Sequence, residues 1–301
     1  MTDLTEITTG LEFPEGPIAM ADGSVILVEI KRGTLSRVLQ NGSVEVIAHL
    51  GGGPNGAAIG PDGHCYVCNN GGFVWHDRNG LTFPGEQPGD YSGGRIERVN
   101  LSTGQVETIY THCDGNPLRG PNDIVFDRQG GFWFTDHGKN RPRDKDRTGV
   151  YYATTDGTQI KELIFPLEGP NGIGLSPDEK TVYVAETPTG RVWAFDLKAP
   201  GELSGSRRML AQLPDYHMFD SLAVDSEGNV CVATLITGGI TVHSPDGKTA
   251  RLIEMPDILT TNICFGGRDL QTAYITLSAT GKLVSMPWHC PGLPLNFLNH
   301  N

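Results

Sequence analysis

The chain matches itself at six places, and that repetition limits its fold more than any other feature. The segment running from Glu15 to Gly23 is followed by the apolar run Val25 to Val28. The same shape returns at Asn55 to Gly63 with Cys65 to Cys68, at Asn122 to Gly130 with Phe132-Trp133-Phe134, and at Asn171 to Glu179 with Val182-Tyr183-Val184. Asp220 to Gly228 with Val230 to Val232 is a fifth copy, and Asn262 to Leu270 with Tyr274-Ile275-Thr276 a weaker sixth. Each copy is a polar residue, a short apolar stretch, a turn and a second apolar stretch, which reads as a β-hairpin. Successive copies start 40, 67, 49, 49 and 42 residues apart. Units of that length hold four strands, and outer strands are visible at Gly94 to Val99, Gly149 to Tyr152 and Gly190 to Phe195.

Six such units predict an all-β fold, a six-bladed β-propeller of four-stranded blades forming a single domain over residues 1–301. The blades start near residues 15, 55, 122, 171, 220 and 262, and Thr5 to Thr9 is expected to lend a strand to the last blade and close the ring. A sandwich or two small β domains explains the alternation but not six copies in register. Composition agrees: 38% of residues are hydrophobic, and 40 Gly and 20 Pro supply turns. The net charge of −12 argues against a nucleic-acid or anionic-membrane partner, since both favour a basic face. Met1 to Gly10 carries no secretory pattern and no run has transmembrane length, so a cytoplasmic protein is expected. The six cysteines are expected as free thiols, with Cys65 and Cys68 on opposite faces of one strand. Two long connections stand out. His76 to Ser92 is rich in Pro and Gly and is a candidate lid; Gly138 to Thr148 carries five basic residues and reads as a solvated loop.

The first residues of the six copies are Glu15, Asn55, Asn122, Asn171, Asp220 and Asn262, each with a side-chain oxygen. Repeat symmetry places them around one end of the central channel. Turn chemistry alone can put Asn or Asp at a strand start. Glu15 is a poor turn mimic, however, and Pro14-Glu15-Gly16-Pro17, Pro54-Asn55-Gly56, Pro121-Asn122-Asp123 and Pro170-Asn171-Gly172 look like rigid presentation of one side chain. Two carboxylates and several amides, with no Cys or His in register, make a hard oxygen site for one divalent cation. Ca²⁺ fits best; Zn²⁺, Mn²⁺ and Mg²⁺ stay open.

With Phe13-Pro14-Glu15-Gly16-Pro17, Pro121-Asn122-Asp123-Ile124, Pro170-Asn171-Gly172-Ile173 and Asp220 to Asp225 in order at blade spacing, the chain resembles the senescence-marker-protein/gluconolactonase (regucalcin-like) family. The resemblance implies a propeller whose divalent metal is held at Glu15, Asn122, Asn171 and Asp220, and an enzyme hydrolysing a small-molecule lactone. It leaves Asn55 and Asn262 as pocket lining or turn residues. Arg119 stands where sugar-lactone enzymes carry a substrate-holding Arg, but Gly120-Pro121 separates it from Asn122. Asp220 is the first choice to take a proton from the attacking water, with Asp123 and Asp136 behind it. His137 and His217 lead to the same face. No Gly-x-Ser-x-Gly elbow supports serine chemistry. Fluorophosphate-hydrolysing propellers look similar at the four metal positions, and a non-catalytic calcium-binding platform is a further alternative. Oligomeric state has no signature in the sequence.

Overall fold

In the computed structural model, which describes residues 4–213 and 215–299, no helix is found among the described residues and 56% of them are strand. Six four-stranded antiparallel sheets make the blades of a six-bladed propeller. Their innermost strands are Pro14–Ala19, Pro54–Ile59, Pro121–Phe126, Pro170–Leu175, Met218–Val224 and Thr260–Gly266. All six fall at the repeat starts. Blade 6 is completed from the other end of the chain: Thr5–Thr9 pairs with Lys282–Pro287, so the ring is latched by sequence-distant strands.

Each blade is twisted and apolar on both faces, so its stability comes from its neighbours. Buried clusters accordingly sit between successive blades. Ile18, Val28 and Leu35 meet Ile59 and Val67 between blades 1 and 2. Tyr66 and Ile96 meet Phe126 and Phe132 between blades 2 and 3. Further clusters fill the remaining seams, ending with Val25 and Leu27 against Leu283 between blades 6 and 1. Cys65 and Cys68 lie in different clusters, on opposite faces of their strand, and all six cysteines are free and buried.

The long connection in blade 2 is more ordered than its composition suggests. It opens with a two-stranded hairpin, Trp75–Arg78 with Leu81–Pro84. Thr82 N donates to Ala279 O of blade 6 at 3.0 Å, and Gln87 N donates to Asn140 O of blade 3 at 2.9 Å. The insertion therefore arcs along the face where the inner strands begin, from blade 6 to blade 3. The 138–148 connection departs from a solvated loop most clearly at Lys139. Lys139 is 2% exposed and donates to Asn70 Oδ1 at 2.9 Å and Gly72 O at 2.6 Å, with its ammonium 3.8 Å from the Phe73 ring centre. The two insertions are stitched together there.

Candidate active site

The six residues at the repeat starts are carried on a shared irregularity. In every blade the pairing of the innermost strand with its neighbour slips close to the ring residue: between Glu15 and Ile18, Pro54 and Ala57, Pro121 and Ile124, Pro170 and Ile173, Phe219 and Leu222, and Thr260 and Asn262. A bulge re-aims side chains that a regular strand would send to its two faces. Four blades begin their inner strand with Pro, which has no amide to lose at that point.

The bulges bring neighbouring strands very close. A Cβ on Gly16 would lie 2.6 Å from Asn55 O, one on Gly56 2.6 Å from Asp123 Cα, and one on Gly172 2.7 Å from Asp220 O. Glycine after the ring residue is a packing requirement here, because any side chain would meet backbone of the next blade.

Glu15, Asn55, Asn122, Asn171 and Asn262 are buried, and Asp220 is half-buried. Glu15 Oε2 accepts from Gly16 N and from Asn262 Nδ2, both at 2.7 Å. Asn262 thus fixes Glu15 across the blade 6 to blade 1 seam. Asn171 Nδ2 donates to Thr187 Oγ1 at 3.1 Å, while Asn171 Oδ1 accepts a 3.4 Å bond from Ser221 Oγ. Asn122 Oδ1 is buried with no hydrogen-bond partner. An orphaned buried carbonyl oxygen is uncommon and asks for an explanation.

Three carboxyls share this end of the channel. Burial pushes Glu15 up to about 7, against hydrogen bonds from Asn262 and Gly16. Asp220 is raised well above the usual carboxylate range by burial and then by the Glu15 charge. Asp123 is pushed up to about 8, chiefly by burial, although Ile124 N and Ile173 N donate to it at 3.0 and 3.1 Å. Buried like charges without a counter-ion are costly. Two acids and two amides, one of them with its oxygen buried and unpaired, are the donor set of a hard divalent cation, so a metal fits these residues.

The other candidates are placed differently. Asp136 is fully buried and accepts from Arg119 N, Gly120 N and Gly138 N at 2.7, 2.7 and 2.8 Å, so it clamps the loop entering its blade. Glu29, Asn69 and Glu186 occupy the same strand end in blades 1, 2 and 4, and each accepts an incoming loop amide. Arg119 is exposed on the rim, with Nε 4.0 Å from Asp146 Oδ1. His137 is half-buried beside Gly169, and burial with Lys139 and Lys145 nearby pulls it down to about 4. His217 pairs Nδ1 with Thr237 Oγ1 at 3.3 Å. The supporting hydroxyls Thr187 and Ser221, and Thr135, whose Oγ1 accepts from Asp123 N at 3.1 Å, were not singled out in the sequence. Thr135 and Thr187 lie at strand ends beside a ring residue, and only the repeat register could have pointed to them.

Fold and site together define a class: a six-bladed propeller with carboxylate and amide oxygens converging on its axis. Within that class the chain belongs to the SMP-30/gluconolactonase/LRE-like family, whose model matches residues 13–279. A gluconolactonase of Zymomonas mobilis is 25% identical, with 92% of this chain and 79% of that protein aligned. The lactonase drp35 of Staphylococcus saprophyticus is 29% identical over 80% of this chain and 69% of its own length. Among solved structures, a gluconolactonase of Xanthomonas campestris superposes with a TM-score of 0.76 at 25% identity, covering 94% of this chain and 89% of the other.

Proposed function

We propose that the chain is a metal-dependent lactonase, a carboxylic-ester hydrolase that opens a sugar lactone or a related small lactone. The observation that carries this reading is the ring itself, two carboxyls and the unpaired Asn122 oxygen at one end of the channel, in a chain whose relatives include a gluconolactonase and a lactonase. Glu15, Asn122, Asn171 and Asp220 would hold one divalent cation, with Ca²⁺ the best match to an all-oxygen donor set. When bound, such a cation supplies Lewis-acid polarisation of the lactone carbonyl.

The chain's own residues do the rest. Asn262 and Gly16 N hold the Glu15 carboxylate in place, and Thr187 orients the Asn171 amide. Asp220, the half-buried member of the ring, takes a proton from water as the water oxygen adds to the carbonyl carbon. The ring C–O bond then breaks, and the proton passes to the departing oxygen to give a hydroxy acid. Burial and the Glu15 charge favour the protonated form of Asp220 while the site holds no cation, and a bound cation would oppose that shift and keep the carboxylate ionised. Asp136 is left out of the proton path, because its oxygens are engaged by three backbone amides.

The test is hydrolysis of a panel of sugar and aliphatic lactones, with a phosphotriester alongside, before and after chelation. Lactone turnover that chelator removes and Ca²⁺ restores is the expected result. Turnover only on the phosphotriester would move the chemistry to phosphorus, and no chelator-sensitive turnover on any substrate would leave a binding protein.

A further inference from the structure

Beyond the oxygen ring the inner strands enclose a second space, a cavity of about 940 Å³ along the axis. Every blade contributes an apolar residue to its wall: Ile18, Ile59, Phe126, Leu175, Val224 and Phe265. The far end is floored by the C-terminal segment, where Leu293 and Leu298 complete the lining. That segment is tied down at several blades. Leu293 N donates to Val224 O at 3.0 Å, Asn296 Nδ2 to Phe126 O at 3.1 Å, and Asn299 Nδ2 to Ala19 O at 3.0 Å. Beside it the lining residues Gln40, Arg128 and Arg268 are exposed, so the cavity meets solvent there.

The ceiling is polar but engaged. Asp123 accepts two backbone amides, and Asn262 donates to Glu15 and accepts from Ile263 N at 2.8 Å. A ligand below would find few free polar partners, and the carboxyls of Glu15, Asp123 and Asp220 above would disfavour an anion. At the mouth the lining residues Arg128 and Glu179 pair with each other at 3.0 Å, so neither is a free counter-charge for a ligand in the cavity. The volume falls in the range of roughly 300–1,000 Å³ that accommodates drug-sized molecules, and apolar cavities are sites where apolar ligands replace poorly held water.

We propose that this cavity is a second ligand site, distinct from the oxygen ring, for an uncharged and largely apolar small molecule that enters beside the C-terminal segment. The proposal is independent of the lactonase reading. Its probe is N-phenyl-1-naphthylamine, an uncharged dye that brightens in apolar surroundings, titrated into the full chain. The expected result is saturable binding of one dye per chain, unaltered by Ca²⁺ or chelator and competed by 1-decanol. Ala58 and Ala223 line the cavity and are only partly buried, so Ala58→Phe and Ala223→Phe should fill it and weaken the dye at least tenfold. Circular dichroism establishes which variant is folded, and either one reads the site. Absence of saturable binding, displacement of the dye by Ca²⁺, or unchanged affinity in a folded filling variant would each overturn the assignment.

Discussion

The two ends of the central channel are built by the same six strands and present opposite chemistry. At the ring end, pairing slips in every blade, glycines let backbones crowd together, and buried carboxyls face one another. A few residues further along, pairing is regular again, as in Ile18 with Ile26 and Phe126 with Phe132, and the side chains are Ile, Leu, Val and Phe. The fold sets the radial arrangement of both ends. The bulge decides which of them concentrates polar groups, and the concentration is unfavourable until something positive balances it.

That contrast can be broken at its polar end first. Asp220→Ala removes a carboxyl from the ring and is expected to lower lactone turnover by about 10³-fold or more, read by steady-state hydrolysis. Ala223→Phe, three residues along the same strand, should leave turnover within a few-fold of the parent.

A smaller effect tests the crowding. Gly56→Ala drives a methyl into the Asn122–Asp123 backbone and is expected to cost about 1–3 kcal/mol in urea unfolding. Gly89→Ala has open space around it and should stay within about 0.5 kcal/mol. Equal costs at the two positions would mean the inner strands have room to relax.

The smallest effect concerns the insertions above the ring. Lys139→Met strips the bonds to Asn70 and Gly72 and should cost about 1 kcal/mol at pH 7. Burial holds the Lys139 amine down at about 7, below its ordinary 10.5, despite Asp136 and Asp146 nearby. Between those values the unfolded chain carries the extra proton, so the parent should gain stability over the variant as pH rises from 7 to 9. Denaturant titrations of both proteins at the two pH values check the sign.

Blade number, inner-strand positions and ring residues were legible because a propeller repeats its hydrophobic pattern and its strand starts in register. The same comparison also held the role of Asp136. Glu29, Asn69, Asp136 and Glu186 recur at one strand end, and their shared job is to receive loop amides. Read singly, Asp136 looked like a spare base. Lys139 was illegible for a different reason: its partners Asn70 and Gly72 lie 69 and 67 residues away, and nothing local distinguishes a buried lysine from a solvated one. The C-terminal floor was hidden likewise, since 293–299 follows no repeat and docks through side-chain amides onto strands from the middle and the opposite end of the chain.

The central claim is that the oxygen ring holds one divalent cation, and calorimetric titration of Ca²⁺ into chelator-treated protein tests it most directly. The expected result is one saturable site per chain, weakened by about 100-fold or more in Glu15→Gln, which keeps the shape and removes one of two ligating charges. Binding of equal strength in the parent and in a folded Glu15→Gln variant, or no binding in the parent, would contradict the account.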